Sequence, residues 1–540
     1  MRKISTLLLS LAMVTAAGAQ TFTVGNMEYT VTDAAAKTVA LTNARYDEGY
    51  GRDVVIPATV ADGGTEYMVT AVGDEAFYMQ NWVNSVSLPE NLTRIGNYAF
   101  SRTAITEIAI PESVTHIGEC AFANTAIVEA LLPESITSVS NGLFSWCTYL
   151  AKVEFKGEIT SIGQSAFGAC FSLTGITIPE SVTSIGDGAF FNCEKLMNVT
   201  IPSRVESIGG WAFAGCESMT EIYVPENVTS IGQGAFSNCK SLTKVDIDAN
   251  ITELGAEMFD GDENLLSVTI PSSVTSVGDF AFNGCTKIFG VELPDGLTYL
   301  GKSAFYECRN LVSVNLPPGI TSLGDYTFYL CINLANVEIP DGVNNIGNYA
   351  FAYCRSINEV TVPGSVRKIG DNAFESTKVQ KLTLGDGIST IGSNAFSGCP
   401  VTEVTIPESV TAIGDGAFSY TGLSSITLLP AAMPAIGENA FNVTGEDVTV
   451  YVHSALAEES KALEAFAGFT IESLPVSVRF PNIQECVSMQ DGVLSNPGGL
   501  HITVYDTSGV VVYNGNAVSV QLPAGVYMVR SGKAARKVAF

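Results

Sequence analysis

Residues 182–202 read Val182-Thr183-Ser184-Ile185-Gly186-Asp187-Gly188-Ala189-Phe190-Phe191-Asn192-Cys193-Glu194-Lys195-Leu196-Met197-Asn198-Val199-Thr200-Ile201-Pro202, and variants of this block recur along the chain. Its phenylalanine can be followed as Phe77, Phe100, Phe122, Phe144, Phe167, Phe190, Phe213, Phe236, Phe259, Phe282, Phe305, Phe328, Phe351, Phe374, Phe396, Phe418 and Phe441, in steps of 22 or 23 residues. Self-similarity at so short a fixed period marks a stacked-repeat architecture, and 22–23 lies within the leucine-rich-repeat range of about 20–29. Within the block, Leu-x-x-Val-x-Ile alternates as a short strand with Val and Ile inward. Proline then ends the strand. Val-x-x-Ile forms a second extended segment, the following glycine permits a turn that a side chain would obstruct, and Ala-Phe drives a ring inward. One such coil cannot bury its own apolar positions, but stacking coils ~4.8 Å apart gives each residue a like neighbour above and below. Seventeen coils at that spacing span roughly 80 Å, so the predicted object is an elongated repeat solenoid.

Composition agrees with this and narrows the function. The chain has 540 residues, 46% hydrophobic and 15% charged, with 27 Lys+Arg against 55 Asp+Glu and a net charge of −28. Low charge with high apolar content excludes a disordered chain. An acidic chain without a basic block is a poor match for nucleic acid, which needs clustered Lys and Arg, or for anionic lipid. Arg2 and Lys3 precede an apolar stretch from Leu7 to about Ala17, closed by Ala17-Gly18-Ala19, the pattern of a secretory signal peptide over 1–19. That stretch is too short to cross ~30 Å of hydrocarbon. The expected product is exported, with no transmembrane segment.

The block "IP-x-S-V-T-x-I-G-x-x-A-F-x-x-C-x-x-L" resembles the BspA-type leucine-rich repeat, found also in treponemal surface proteins, from about Tyr67 to Val452. The resemblance implies a right-handed leucine-rich-repeat β-solenoid of about 17 coils on a secreted or surface protein of an anaerobic, Gram-negative bacterium. Some such proteins act as adhesins toward extracellular proteins or glycans, and the resemblance implies neither catalytic residues nor a cofactor. The ends should differ, because an open solenoid exposes core and strand edges. Residues 20–66 read as an N-terminal β cap, with strands at Thr21–Val24, Met27–Val31 and Val54–Ile56. Residues 453–475 read as a C-terminal helical cap, with Ser454 as N-cap of a helix to Phe466. Residues 476–540 read as a small β-sandwich-like domain with strands at Leu500–Tyr505, Val510–Tyr513, Val518–Leu522 and Val526–Val529. Its strings "ITVYDTSGVVVY" and "LPAGVYMVRSG" resemble the C-terminal sorting domain of the type IX secretion system. That resemblance implies contact with outer-membrane secretion machinery. The segment is short, and the family's opening motif is reduced to Ser495-Asn496-Pro497-Gly498.

Few residues suggest chemistry. Ten of the twelve cysteines fall three residues after the repeat phenylalanine: Cys147, Cys170, Cys193, Cys216, Cys239, Cys285, Cys308, Cys331, Cys354 and Cys399. An exported protein with an even cysteine count suggests disulfides. Equivalent residues of stacked coils point inward in parallel, however, which makes the ±90° disulfide torsion hard to reach. A structural ladder of buried thiols acting as small hydrophobes is therefore expected. Gly296 to Ser303 fits the phosphate-loop pattern, but Gly301 is the repeat glycine and Ser303-Ala304-Phe305 the repeat turn, so Lys302 is a variable surface position. In the Phe259 copy the cysteine is replaced by Asp262, within Asp260-Gly261-Asp262-Glu263. Such carboxylates can bind calcium, yet the distal Glu of a calcium loop is missing, so the expectation is an acidic exposed turn. His116, His453 and His501 are scattered. Metal, cofactor and catalytic residues are accordingly expected to be none.

The candidate binding surface is geometric. In Leu-x-x-Val-x-Ile the residues before and between the inward pair face solvent. They form two stripes containing Glu154, Thr200, Tyr223, Asp246, Glu292, Glu338, Glu359 and Glu403, a polar and mostly acidic surface of the kind solenoids use for binding. The same side chains also serve simply to keep a sheet soluble, which leaves an envelope spacer as the alternative. One outcome follows for the thiols: the intact mass of the exported chain under non-reducing conditions should equal that of the fully reduced chain, and several missing hydrogen pairs would refute a thiol ladder.

Overall fold

The structure, a computed structural model, describes residues 20–44, 52–474 and the C-terminal strands 488–490, 493–495, 502–505, 511–515, 519–521, 526–531 and 534–539. The leader at 1–19 and Cys486 lie outside these residues. The repeat builds a β-solenoid. The Leu-x-x-Val-x-Ile segments pair in parallel with the next coil, as when Glu221–Val224 pairs with Lys244–Ile247 and then Ser267–Thr269. The x-Ile segments form a second parallel ladder, for example Ser138–Val139, Ser161–Ile162, Ser184–Ile185, Ser207–Ile208 and Ser230–Ile231 in register. The seventeen phenylalanines are buried in one file, with successive ring centroids 5.0–6.1 Å apart.

The phenylalanine side of the coil is a third hydrogen-bonded ladder that strand periodicity does not announce. In the coils of Phe77 to Phe418 two residues, two before and two after the ring, have positive φ, as at Gly188 (57°) and Asn192 (54°), then Trp211 (51°) and Gly215 (73°). The alternation splits the backbone donors between two directions. Gly188, Phe190 and Asn192 donate their N–H groups along the axis to Gly210, Ala212 and Ala214 of the next coil at 2.7–2.8 Å, whereas Ala189, Phe191 and Cys193 donate within their own coil to Gly186, Gly188 and Phe190. Every N–H in this run is satisfied, as burial demands. The left-handed conformation costs a non-glycine residue about 1–2 kcal/mol, so this bonding outweighs a standing local strain.

The glycine after Ile works differently from the expectation. Gly186 does not have positive φ, and what it supplies is space: a Cβ there would lie 2.6 Å from the Gln164 nitrogen and 2.7 Å from the Gly163 carbonyl carbon of the preceding coil. Gly209, Gly301, Gly347 and Gly370 sit against backbone in the same way. Ser140 occupies this place in the Phe144 coil. Its hydroxyl donates to the Ile117 carbonyl; in other coils the equivalent carbonyl accepts from the glycine N–H, as Val139 does from Gly163. The second ladder is interrupted between Ile117 and Ser138, and also between Ile231 and Glu253 and between Leu300 and Ser322, where the glycine is present.

Both ends join the stack. At the N-terminus Thr21–Val24, Met27–Asp33 and Thr38–Ala44 form an antiparallel meander. Thr38–Ala44 then pairs in parallel with Thr65–Val72, which carries the ladder onward to Arg94–Ile95. Asp53–Val55 starts the other ladder by pairing with Ser85–Ser87, and Thr59–Asp62 pairs antiparallel with Thr65–Val72. The expected strands at 21–24 and 27–31 form, the one expected at Val54–Ile56 lies one residue earlier at Asp53–Val55, and Thr38–Ala44 and Thr59–Asp62 are further strands. At the C-terminus the expected helix is only Ala457–Ala462, between short 3-10 turns at Ser454–Leu456 and Glu464–Phe466, and Ser454 makes no side-chain cap. Leu463 is extended (ψ 129°). It ends the helix, and Phe466 then lies 5.5 Å from Phe441 as an eighteenth ring. Thr470–Ser473 adds one more parallel strand to Thr449–Val452. The C-terminal strands form two antiparallel sheets, one of Ser488–Gln490, Val493–Ser495 and Ser519–Gln521, the other of Ile502–Tyr505, Val511–Gly515, Val526–Ser531 and Ala534–Ala539.

If glycine serves close approach, Gly186→Ala should destabilise the coils around it by about 1–3 kcal/mol, as overpacking does. Hydrogen exchange localised to residues 160–210 measures it, and unchanged protection there would contradict the account.

Candidate functional site

The strand period sets the face. In Glu221–Val224, Ile222 and Val224 are buried and Glu221 and Tyr223 exposed. Parallel, in-register pairing then aligns like positions of successive coils: Tyr223 beside Asp246 beside Thr269. Thr200, Tyr223, Glu154, Glu292, Glu338, Glu359 and Glu403 are all exposed, and Asp246 is half-buried. Asp246 accepts hydrogen bonds from Lys244 Nζ at 2.5 Å and Thr269 Oγ1 at 3.1 Å. The lysine bond holds its carboxyl below the usual carboxylate range. The Tyr223 hydroxyl donates to Asp248 at 2.9 Å, which raises the phenol's pKa. Lys152 pairs with Glu154 and Lys381 with Glu359.

Three grooves open on this face. Thr200, Tyr223 and Asp246 share one with Glu221 and Lys244. Glu154 shares another with Glu107, Glu129 and Lys152. Glu292 and Glu338 line the largest, which encloses about 1190 Å³. Glu359 and Glu403 line none of the three. Two surface features escaped the stripe reading. The residue directly after the repeat Leu or Ile forms a third column, which is apolar and exposed at Leu266 and Phe289. A run of apolar residues in a column that holds Thr174, Thr220 and Thr243 elsewhere was the available signal. On the phenylalanine edge, Tyr306 stacks on Tyr329 and Tyr326 on Tyr349, each at 4.9 Å, with Tyr353 edge-on to Tyr329.

The interior holds the other singled-out residues. The structure places all ten repeat cysteines in the core as free thiols. Each Sγ donates to the carbonyl of the phenylalanine one coil back, as from Cys193 to Phe167 at 3.2 Å and from Cys331 to Phe305 at 3.0 Å. Burial pushes these thiols up, to about 12 for Cys193 and about 11 for Cys147 and Cys399. They are therefore neutral and poor nucleophiles. His116 is exposed, and partial desolvation of its ring, with Arg94 nearby, lowers its pKa. Ser303 has positive φ in the repeat turn, where the phosphate-loop pattern would need a helix start.

Asp262 corrects the acidic-turn expectation. It is fully buried in the thiol file. Oδ1 accepts the Cys239 backbone N–H at 2.7 Å, while Oδ2 has no hydrogen-bond partner. Burial drives its pKa well upward, and neighbouring Asp260 adds to this. A calcium ligand must be ionised and reachable, and this carboxyl is neither. Among the described residues no group of three or more His, Cys, Asp or Glu is placed to hold a metal ion.

Residues 70–196, 160–288, 252–379 and 367–487 match the sequence profile described as "BspA type Leucine rich repeat region (6 copies)". Among solved structures, the chain is similar to a leucine-rich repeat protein from Bacteroides ovatus. The identity is 23%, covering 84% of this chain and 100% of that one, with a TM-score of 0.50. It is also similar to a leucine-rich cell surface protein from Faecalibacterium prausnitzii, at 27% identity over 68% and 95% and a TM-score of 0.43. The pneumococcal vaccine antigen PcpA matches at 17% identity over 85% and 99%, with a TM-score of 0.35. No curated protein matches.

The buried carboxyl generates a prediction whose sign is fixed. Its folded pKa exceeds the unfolded value of about 3.9. Its stabilising neutral form is thus fully present below that value, and stability is lost as pH rises above it. Asp262→Cys should therefore stabilise coils 236–285 at pH 7 by about 1–3 kcal/mol, with the gain shrinking toward pH 4. Hydrogen exchange at both pH values tests this, and a gain independent of pH would contradict it.

Proposed function

The chain belongs to the BspA-type leucine-rich-repeat family, and on that premise we propose that it is a non-enzymatic, secreted or cell-surface interaction protein. It presents the Leu-x-x-Val-x-Ile face to extracellular proteins or glycans in the manner of an adhesin. The observation that carries this reading is that three grooves of differing chemistry open along that one face. An extended scaffold bearing many weak polar contacts and a few exposed rings suits recognition of a macromolecule better than enclosure of a small substrate. The catalytic roles of nucleophile, base and oxyanion donor need convergent groups. The repeat thiols here are instead placed singly in ten of the seventeen coils and are neutral, and the stripe carboxylates are spread along the axis. Among the described residues no helix is long and apolar enough to cross a membrane. The leader sequence supports export, and the C-terminal segment supports passage through outer-membrane secretion machinery of a Gram-negative cell.

The test is a solid-phase screen of matrix proteins, mucins and glycans with the purified chain. A saturable partner is expected, weakened about tenfold or more by Tyr223→Ala with Asp246→Ala, or by Glu292→Ala, as for an interface hot spot. A screen without any saturable partner would favour an envelope spacer, and a partner indifferent to all these changes would place recognition off this face.

A further inference from the structure

Over four successive coils, Leu265–Ile339, the exposed face changes character. The first column is apolar, with Leu266 and Phe289 at 53% and 66% exposure, followed by Val312 and Ala335. The middle column is small and neutral, Ser267, Gly290, Ser313 and Asn336, where other coils carry Lys152, Lys244 or Lys381. The third column carries exposed Glu292 and Glu338. Strand pairing is also short here. Gly290–Val291 pairs with Ser313–Val314 only. The Asn315 side chain then replaces the next strand bonds, accepting from the Leu293 N–H and donating to the Leu293 carbonyl, both at 2.9 Å. The result is the largest of the three grooves, with an apolar wall, a small-residue floor and an acidic wall that Asp295 extends. No Lys or Arg lines it, and among the described residues Glu292, Asp295 and Glu338 form no ion pair, unlike Glu154, Asp246 and Glu359.

We propose that this groove receives an extended, basic-apolar polypeptide segment, with an aromatic or aliphatic side chain against Leu266 and Phe289 and two cationic side chains against Glu292 and Glu338. Charge complementarity selects the occupant: unpaired carboxylates beside apolar surface favour a cation with an apolar neighbour and disfavour an acidic chain, a second copy of this −28 protein included. Spacing sets the pattern. Glu292 and Glu338 are two coils apart, about 10 Å at ~4.8 Å per coil, which a polyproline-II segment spans in about three residues at ~3.1 Å each, with residues i and i+3 on one side. The proposal rests on the interaction reading above and names the partner class of one groove.

The experiment is fluorescence anisotropy of a labelled ten-residue peptide, capped at both ends, with two arginines three residues apart and phenylalanine between them, against the full chain. Saturable binding is expected, weakening as salt rises. Glu292→Gln with Glu338→Gln, or Phe289→Ser, should weaken it about tenfold. These residues are exposed, so the variants are expected to fold, and circular dichroism checks that they do. Peptides with glutamate for arginine, or serine for phenylalanine, should bind at least about tenfold more weakly. No binding, equal binding of the glutamate peptide, or unchanged affinity in both variants overturns the proposal. If that happens while the macromolecular partner of the previous section still binds, only this groove's assignment falls.

Discussion

Everything in this molecule follows from the requirement that each coil pass its backbone hydrogen bonds to the next coil in register. A coil has no internal sheet and no closed core, so the N–H and C=O groups that its own turns leave unpaired are satisfied along the axis. The glycine after the inward isoleucine shows how tight the constraint is. It is needed because the neighbouring backbone occupies the place of a Cβ. The left-handed residues on the phenylalanine side answer to the same demand, since only alternating handedness lets every second N–H point along the axis.

Once register is fixed, side chains become columns. Inside, the columns are rings and thiols. The thiol bond to the previous coil's phenylalanine carbonyl makes cysteine more than a small hydrophobe, because it binds consecutive coils through a second donor. Asp262 interrupts that pattern with a carboxyl that is stable in this setting only when neutral. Outside, the columns become stripes, and a local change in one column changes the binding character of a patch several coils long.

The repeat length, the inward positions and the outward stripes were legible because strand alternation reports side-chain direction directly. Coil edges and caps were harder. Thr38–Ala44 and Thr59–Asp62 are strands because the first coil needs a partner. The helix after His453 stops at Leu463 because Phe466 packs against Phe441, which overrides helix propensity. Asp262 read as surface because an aspartate in an acidic run ordinarily is.

By itself the sequence determined a solenoid of known period, an acidic exposed face and a file of equivalent cysteines, because period and alternation are local properties. Only the tertiary structure decided that the glycine is a contact and not a hinge, that Asp262 is buried, and that Leu266, Phe289, Glu292 and Glu338 line one groove. Each of those depends on which residues of neighbouring coils meet across the stack, some 23 positions apart in the chain, and stacking alone brings them together.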